Sequence, residues 1–318
     1  MRNTMRSEVT CYEEFCDFVR DNILNLMPED RKWTVRIMDV EKNNGIKRKG
    51  ISIMGEEGNI SPTIYLEGFY EDFVNDSIEL EEVLVQVKNT YEKHKKEGFT
   101  LDYEKFLKED RIIACLVNRE MNQKLLKQIP YVPVGEDLAL IFKYYLKEVF
   151  GEESGYVTIT DHLAKQMKID TKKLLPKALE NMKEIYPVSL VSMEHLLFGY
   201  PEELPSTMNM YVLTNKERHL GASALLYEET RKMLYDRFEC DLIALPSSIH
   251  EWILLPIGEG DFRSGLNEMV REVNATQVSE EERLGNNAYV IKREQLLEED
   301  FENLLIPIKQ RYFVAGAI

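Results

Sequence analysis

Asn44-Gly45 stands between two runs of β-forming residues. Trp33 to Val40 alternates, with Trp33, Val35, Ile37 and Val40 against Arg36 and Asp39. Ile46 to Met54 follows and carries Ile51 and Ile53. A tight primed turn needs positive φ at its central positions, and Asn and Gly adopt it at least cost. The pair therefore predicts a hairpin, and with it antiparallel pairing. Thr63 to Leu66 is expected to add a third strand.

Helical periodicity flanks this hairpin. Phe15, Phe18, Val19, Ile23, Leu24 and Met27 share one face of a helix over Cys11 to Met27, stopped by Pro28. Leu80, Val83, Leu84, Val87 and Tyr91 do the same for Glu79 to Lys96. Arg111 to Val117 reads as an apolar strand and Asn122 to Gln128 as a short helix. Asp137 to Val149 fits either state. Tyr156 to Thr160 reads as a strand, with Asp161 as a helix cap. Helices are expected over His162–Met167, Thr171–Tyr186 (capped by Asp170 or Thr171) and Val191–Phe198. Strands are expected at Met210–Leu213, Ala222–Leu226, Asp241–Leu245, Trp252–Pro256 and Asn287–Ile291. Further helices are expected at Glu228–Phe238, Leu266–Val273 and Gln295–Leu305. Hairpins without strict βαβ alternation define an α+β class, antiparallel hairpins with flanking helices. A boundary is expected where Pro130, Pro133 and Gly135 cluster. It would divide an N-terminal lobe, 1–130, from a C-terminal lobe, 131–318, the two packing as one unit or as two lobes.

Composition decides which partners fit. The 318 residues carry 56 acidic against 40 basic side chains, a formal charge of -16. Such a chain repels phosphate backbones, so neither generic nucleic-acid binding nor binding to an anionic membrane is expected. No apolar run approaches the roughly 20 residues of a membrane span. Met1 to Arg6 is basic, but Glu13, Glu14 and Asp17 follow instead of an apolar stretch, so no signal peptide is expected. Cys11, Cys16, Cys115 and Cys240 show no CxxC spacing, which suits free thiols in a cytoplasmic protein.

One turn concentrates polar chemistry: Pro246-Ser247-Ser248-Ile249-His250-Glu251. Ser247 or Ser248 with His250, and Glu251 beside them, are the catalytic candidates, because an imidazole can accept a serine proton. Neighbours in one turn seldom reach that geometry, since triads usually draw on distant segments. The plainer expectation is a hairpin turn in which the hydroxyls cap backbone groups and Glu251 pairs with a cation. His94, His162, His195, His219 and His250 are widely spaced, so no metal is expected. No phosphate-binding loop occurs, and no cofactor is expected. The glycine-bearing loops at residues 55–58 and 258–261 read as acidic turns. The lysines Lys165, Lys168, Lys172, Lys173, Lys177 and Lys183 suit a solvated face, or alternatively an anionic ligand. Tyr65, Phe69, Tyr70 and Phe73 have no interleaved cations and belong to a core.

Several strings resemble the domain-of-unknown-function family DUF5688, over roughly Glu13 to Arg293. They are Asn59-Ile60-Ser61-Pro62-Thr63-Ile64-Tyr65-Leu66, Leu116-Val117-Asn118, Met210-Tyr211-Val212-Leu213-Thr214-Asn215, Gly221-Ala222-Ser223, Leu245 to Glu251, and Glu268 to Asn274. The stretch Ala178-Leu179-Glu180-Asn181-Met182 is distantly similar to the uncharacterised family numbered 1444. Neither resemblance implies an activity or site residues. The expected function is a binding or regulatory role toward a protein or small molecule, the alternative a hydrolase-like enzyme built on His250 with Ser247 or Ser248.

Overall fold

The computed structural model describes residues 9–56, 61–95, 107–146, 155–201, 208–257 and 265–308. The chain divides into two compact units, one of residues 1–42 and 46–106, the other of 43–45 and 107–318.

The first unit begins with α1 (Tyr12–Asn22), which buries Phe15, Cys16 and Val19 and runs into a 3-10 turn at Ile23–Leu26 before Pro28. The expected hairpin follows. β1 (Trp33–Glu41) and β2 (Lys47–Gly55) pair antiparallel from Trp33↔Gly55 to Glu41↔Lys47. The Lys42 amide donates to the Ile46 carbonyl at 2.7 Å, and Asn44 and Gly45 have φ of 62° and 68°. β3 (Thr63–Tyr65) pairs the other edge of β2, so Ile51 and Ile53 in the central strand are wholly buried while β1 keeps one exposed face. α2 (Glu67–Val74) and α3 (Leu80–His94) add their buried residues to the same core as Ile51, Ile53 and Ile64. Leu80, Val83, Leu84, Val87 and Tyr91 are buried, as their spacing predicts. Phe15, Val19, Ile23, Ile51, Ile53, Val83 and Val87 form the centre of the core, each burial contributing about 1.5–3 kcal/mol. Phe73 is buried in this core and Phe69 and Tyr70 pack against the cluster. Tyr65, expected with them, is only half-buried and carries Lys42 Nζ 4.1 Å from its ring centroid, so it is not core.

Among the described residues, the second unit contains two sheets. β4 (Ile112–Asn118), buried along its whole length, leads through α4 (Gln123–Leu126) to β5 (Tyr131–Val134), β6 (Leu138–Tyr145) and β7 (Tyr156–Thr158). β6 pairs with all three others, which makes residues 138–145 of the ambiguous segment a strand. The boundary expected near residue 130 falls inside this sheet. Pairing of β4 with β6, Ile112↔Tyr144 to Asn118↔Leu138, joins the two sides, and the division lies instead at 106/107.

α5 (Asp161–Gln166) is capped by Thr160, whose hydroxyl accepts from the Leu163 amide at 3.1 Å; Asp161 is already helical. Asp170 accepts from the Lys172 amide ahead of α6 (Leu174–Ile185). Residues 188–192 form β8 (Val188–Ser192), so helix α7 (Met193–Phe198) starts two residues later than its pattern suggests, capped by Ser192. β9 (Tyr211–Asn215) follows. The expected strand Ala222–Leu226 is a buried 3-10 segment, Gly221–Leu226. Both edges of β9 are already taken, by β8 and by β11 (Glu251–Pro256), so no ladder position is open to it beside β9. After that segment come α8 (Glu228–Arg237) and β10 (Leu242–Ser248). Past β11 lie α9 (Leu266–Thr276), β12 (Tyr289–Ile291) and β13 (Ile306–Pro307).

The second sheet has the order β13-β12-β10-β11-β9-β8, every adjacent pair antiparallel. α9 lays Leu266 and Val270 over Ile243, Leu245, Leu255 and Ala288. The expected terminal helix over residues 295–305 is a short 3-10 turn, Arg293–Leu297. The buried Arg231 guanidinium donates to the carbonyls of Leu296 and Glu298 and lies over the Phe301 ring, so acceptors a helix would use are already engaged.

The class is α+β. No helix among the described residues is long and apolar enough to cross a membrane. The acidic turn expected at 258–261 and residues 57–58 of the one expected at 55–58 lie outside the described residues.

Candidate functional site

The polar turn is a tight hairpin. Ser248 pairs with Glu251, leaving Ile249 and His250 as its tip, and a bulge falls between Pro246 and Ser248. Neither tip residue has positive φ, and the bulge at Ser247 supplies the extra twist that such a turn needs. The Ser248 hydroxyl accepts from the His250 amide at 3.0 Å, the backbone cap expected of it. The Ser247 hydroxyl donates to the Glu251 carboxylate, also at 3.0 Å.

His250 turns its ring elsewhere. Nδ1 accepts from the Leu220 amide at 3.0 Å, and Nε2 faces Glu282 Oε1 at 3.4 Å. A ring nitrogen that accepts an amide hydrogen carries no proton, so Nε2 holds it and points it at the carboxylate. The His250 carbonyl accepts from the Thr214 hydroxyl at 2.7 Å. Gly221 closes the same corner: a Cβ there would collide with the Thr214 hydroxyl and lie 2.5 Å from the His250 carbonyl oxygen. The structure thus brings Ser247 to Glu251 and His250 to Leu220 and Glu282. It does not bring either hydroxyl to the imidazole among the described hydrogen bonds.

A row of rings extends from this corner. His219 stacks on Tyr156 with centroids 5.4 Å apart and meets His250 at 5.0 Å. The Tyr156 and Tyr186 hydroxyls share a 2.6 Å hydrogen bond. Burial first, then the neighbouring His250 imidazole and Lys143, lower the His219 pKa to about 4, against a smaller pull from Glu282. His219 is therefore neutral at pH 7. No group of three or more metal-ligating side chains occurs among the described residues. Of the lysine-rich face, Lys177 and Lys183 pair with Glu180 and Glu229.

A second site went unmarked in the sequence. A cleft of about 390 Å³ lies where the β5–β6 turn meets α9 and the edge of the second sheet, lined by Glu136, Asp137, Asn267, Arg271 and Asn287 and by residues 307–308. Gly135, with φ of 58°, makes the turn, and a Cβ there would sit 2.7 Å from the Leu305 carbonyl oxygen. The backbone then carries Asp137 to β12. Its Oδ2 accepts from Asn287 Nδ2 at 3.1 Å and from the Tyr289 hydroxyl at 2.9 Å. Burial, reinforced by the Asp137 carboxylate, holds the Tyr289 pKa well above its ordinary value, so the hydroxyl remains a donor. Asp137 Oδ1 is buried and finds no donor among the described residues. Asn267 fixes the facing wall. Its Nδ2 donates to the Ile308 carbonyl and its Oδ1 accepts from the Ala288 amide, both at 2.7 Å. Arg271, one helical turn later, shares that face of α9. These residues lie 130 or more positions from Asp137 along the chain, and no local spacing signals their convergence.

Fold and site together define an α+β protein with antiparallel sheets, one self-satisfied polar hairpin and one polar cleft. The chain belongs to the family described as Family of unknown function (DUF5688), whose model matches residues 12–293. No curated protein and no solved structure matches it.

Proposed function

We propose that this chain is a binding protein for a small polar molecule, seated in the cleft between Asp137 and Arg271. The observation that carries this reading is the buried Asp137 Oδ1 without a donor. A buried carboxylate oxygen left unsatisfied costs about 1–3 kcal/mol, more if charged, and a positive group held at the cleft wall beside it lowers that cost. The cleft volume falls in the range of small-molecule sites. Asp137 is held in place by Asn287 and Tyr289, so the oxygen is positioned before anything binds. Saturation-transfer NMR with a library of small polar fragments tests this. Fragments should bind the wild type and be lost in Arg271→Trp, which sets an indole at the mouth. Absence of binding to the wild type, or binding unchanged in the variant, overturns the reading.

The second reading is a hydrolase built on Ser247 or Ser248 with His250. The Ser247–Glu251 contact is all that favours it. Against it stands the His250 ring, which spends Nδ1 on the Leu220 amide and directs Nε2 at Glu282. A fluorophosphonate probe decides between the two: it should label the wild type no more than a Ser247→Ala/Ser248→Ala double variant. Selective labelling of the wild type favours the hydrolase.

A further inference from the structure

We infer that the cleft takes a zwitterion of the free amino-acid class, its ammonium group on Asp137 and its carboxylate on Arg271. This rests on the reading of the cleft as a small-molecule site and deepens it. Charges of both signs line one space of about 390 Å³: carboxylates from Glu136 and Asp137 on the β5–β6 turn, and a guanidinium from Arg271 on α9. A ligand with a single positive charge would leave Arg271 unused and face it as a like charge. A ligand with a single negative charge would meet two carboxylates. A molecule bearing both groups satisfies both walls.

The polar detail agrees. Asp137 Oδ2 accepts from two neutral donors, which leave the carboxylate its charge, and that charge lines the cleft beside Glu136, where an ammonium group meets both. Arg271 meets Glu268 at 3.9 Å, an exposed contact within one helix that a forked, bidentate ligand carboxylate outcompetes. Asn267 and Asn287 spend their amide groups on the Ile308 carbonyl, the Ala288 amide and Asp137. They therefore shape the walls, while Asp137 and Arg271 recognise the ligand. Asp137→Asn keeps the side-chain size and removes the charge. Arg271→Gln alters a half-exposed side chain and leaves the fold in place, so it decides the matter if the Asp137 variant fails to fold.

The test is isothermal calorimetry on the full chain with each of the twenty common L-amino acids, and with methylamine and acetate as single-charge controls. At least one amino acid should bind the wild type, and Asp137→Asn and Arg271→Gln should each weaken it about tenfold or more, the loss of one charge-assisted hydrogen bond. Two results overturn the zwitterion: no amino acid binding the wild type, or a bound one indifferent to both substitutions. If methylamine or acetate binds as tightly as any amino acid, the zwitterion fails while the cleft as a small-molecule site stands. Failure of the fragment experiment as well removes both.

Discussion

His219 should make the protein lose stability on mild acidification, and replacing it with phenylalanine should remove that loss. The imidazole lies between the rings of Tyr156 and His250, 5.4 and 5.0 Å away, with Lys143 above Tyr156 and Glu282 beyond His250. Its pKa is about 4 in the folded chain and 6.5 when unperturbed. The unfolded chain therefore binds a proton as pH falls through 6.5, and the folded chain does not until about 4. Stability attributable to this group is whole at pH 7 and drains away across that window. One pK unit corresponds to about 1.4 kcal/mol, so between pH 7 and pH 5 the loss is about 2 kcal/mol, reduced toward about 1 by solvent reaching the half-buried ring. Carboxylates also titrate there, so the informative quantity is a difference. Urea denaturation of the wild type and of His219→Phe, each at both pH values, isolates it. Phenylalanine keeps the ring stack and cannot titrate. The hydrogen bonds of residue 219 with Asn215 run through its backbone and survive the change. The wild type should lose about 1–2 kcal/mol more than the variant. Equal losses refute the reasoning.

Gly221→Ala should destabilise by about 1–3 kcal/mol in chemical denaturation, because the new methyl meets the Thr214 hydroxyl, the His250 carbonyl and the Asn215 amide at once. Gly45→Val should cost about 1 kcal/mol or more in the same assay, since a β-branched residue resists a φ of 68°. Ser248→Ala should lower stability by about 1 kcal/mol through loss of the bond from the His250 amide, and a change under 0.3 kcal/mol would show that bond to be idle.

Short-range chemistry made much of the fold legible. Asn44-Gly45 announces its hairpin because positive φ is a property of the residue itself. Leu80, Val83, Leu84, Val87 and Tyr91 announce their helix face because a 3.6-residue period is local. Pro28 marks where a helix stops for the same reason. Where two structures satisfy the local pattern equally, the sequence was silent. Residues 138–145 became a strand because β4, β5 and β7 all pair with it. Residues 222–226, buried like a strand, did not, because β8 and β11 flank β9. The candidate hairpin shows the same limit. Its residue types suggested a serine and a histidine acting together, yet the ring direction depends on Leu220 and Glu282, 30 and 32 positions away. The cleft lay wholly beyond reach. Asp137, Asn267, Arg271 and Asn287 are unremarkable alone, and they converge only after the β5–β6 turn packs against residues 301–305 and α9 closes over the sheet edge. Residue types and their spacing determine backbone preference over a few positions; which side chains share a space is decided by pairing and packing between segments far apart in the chain.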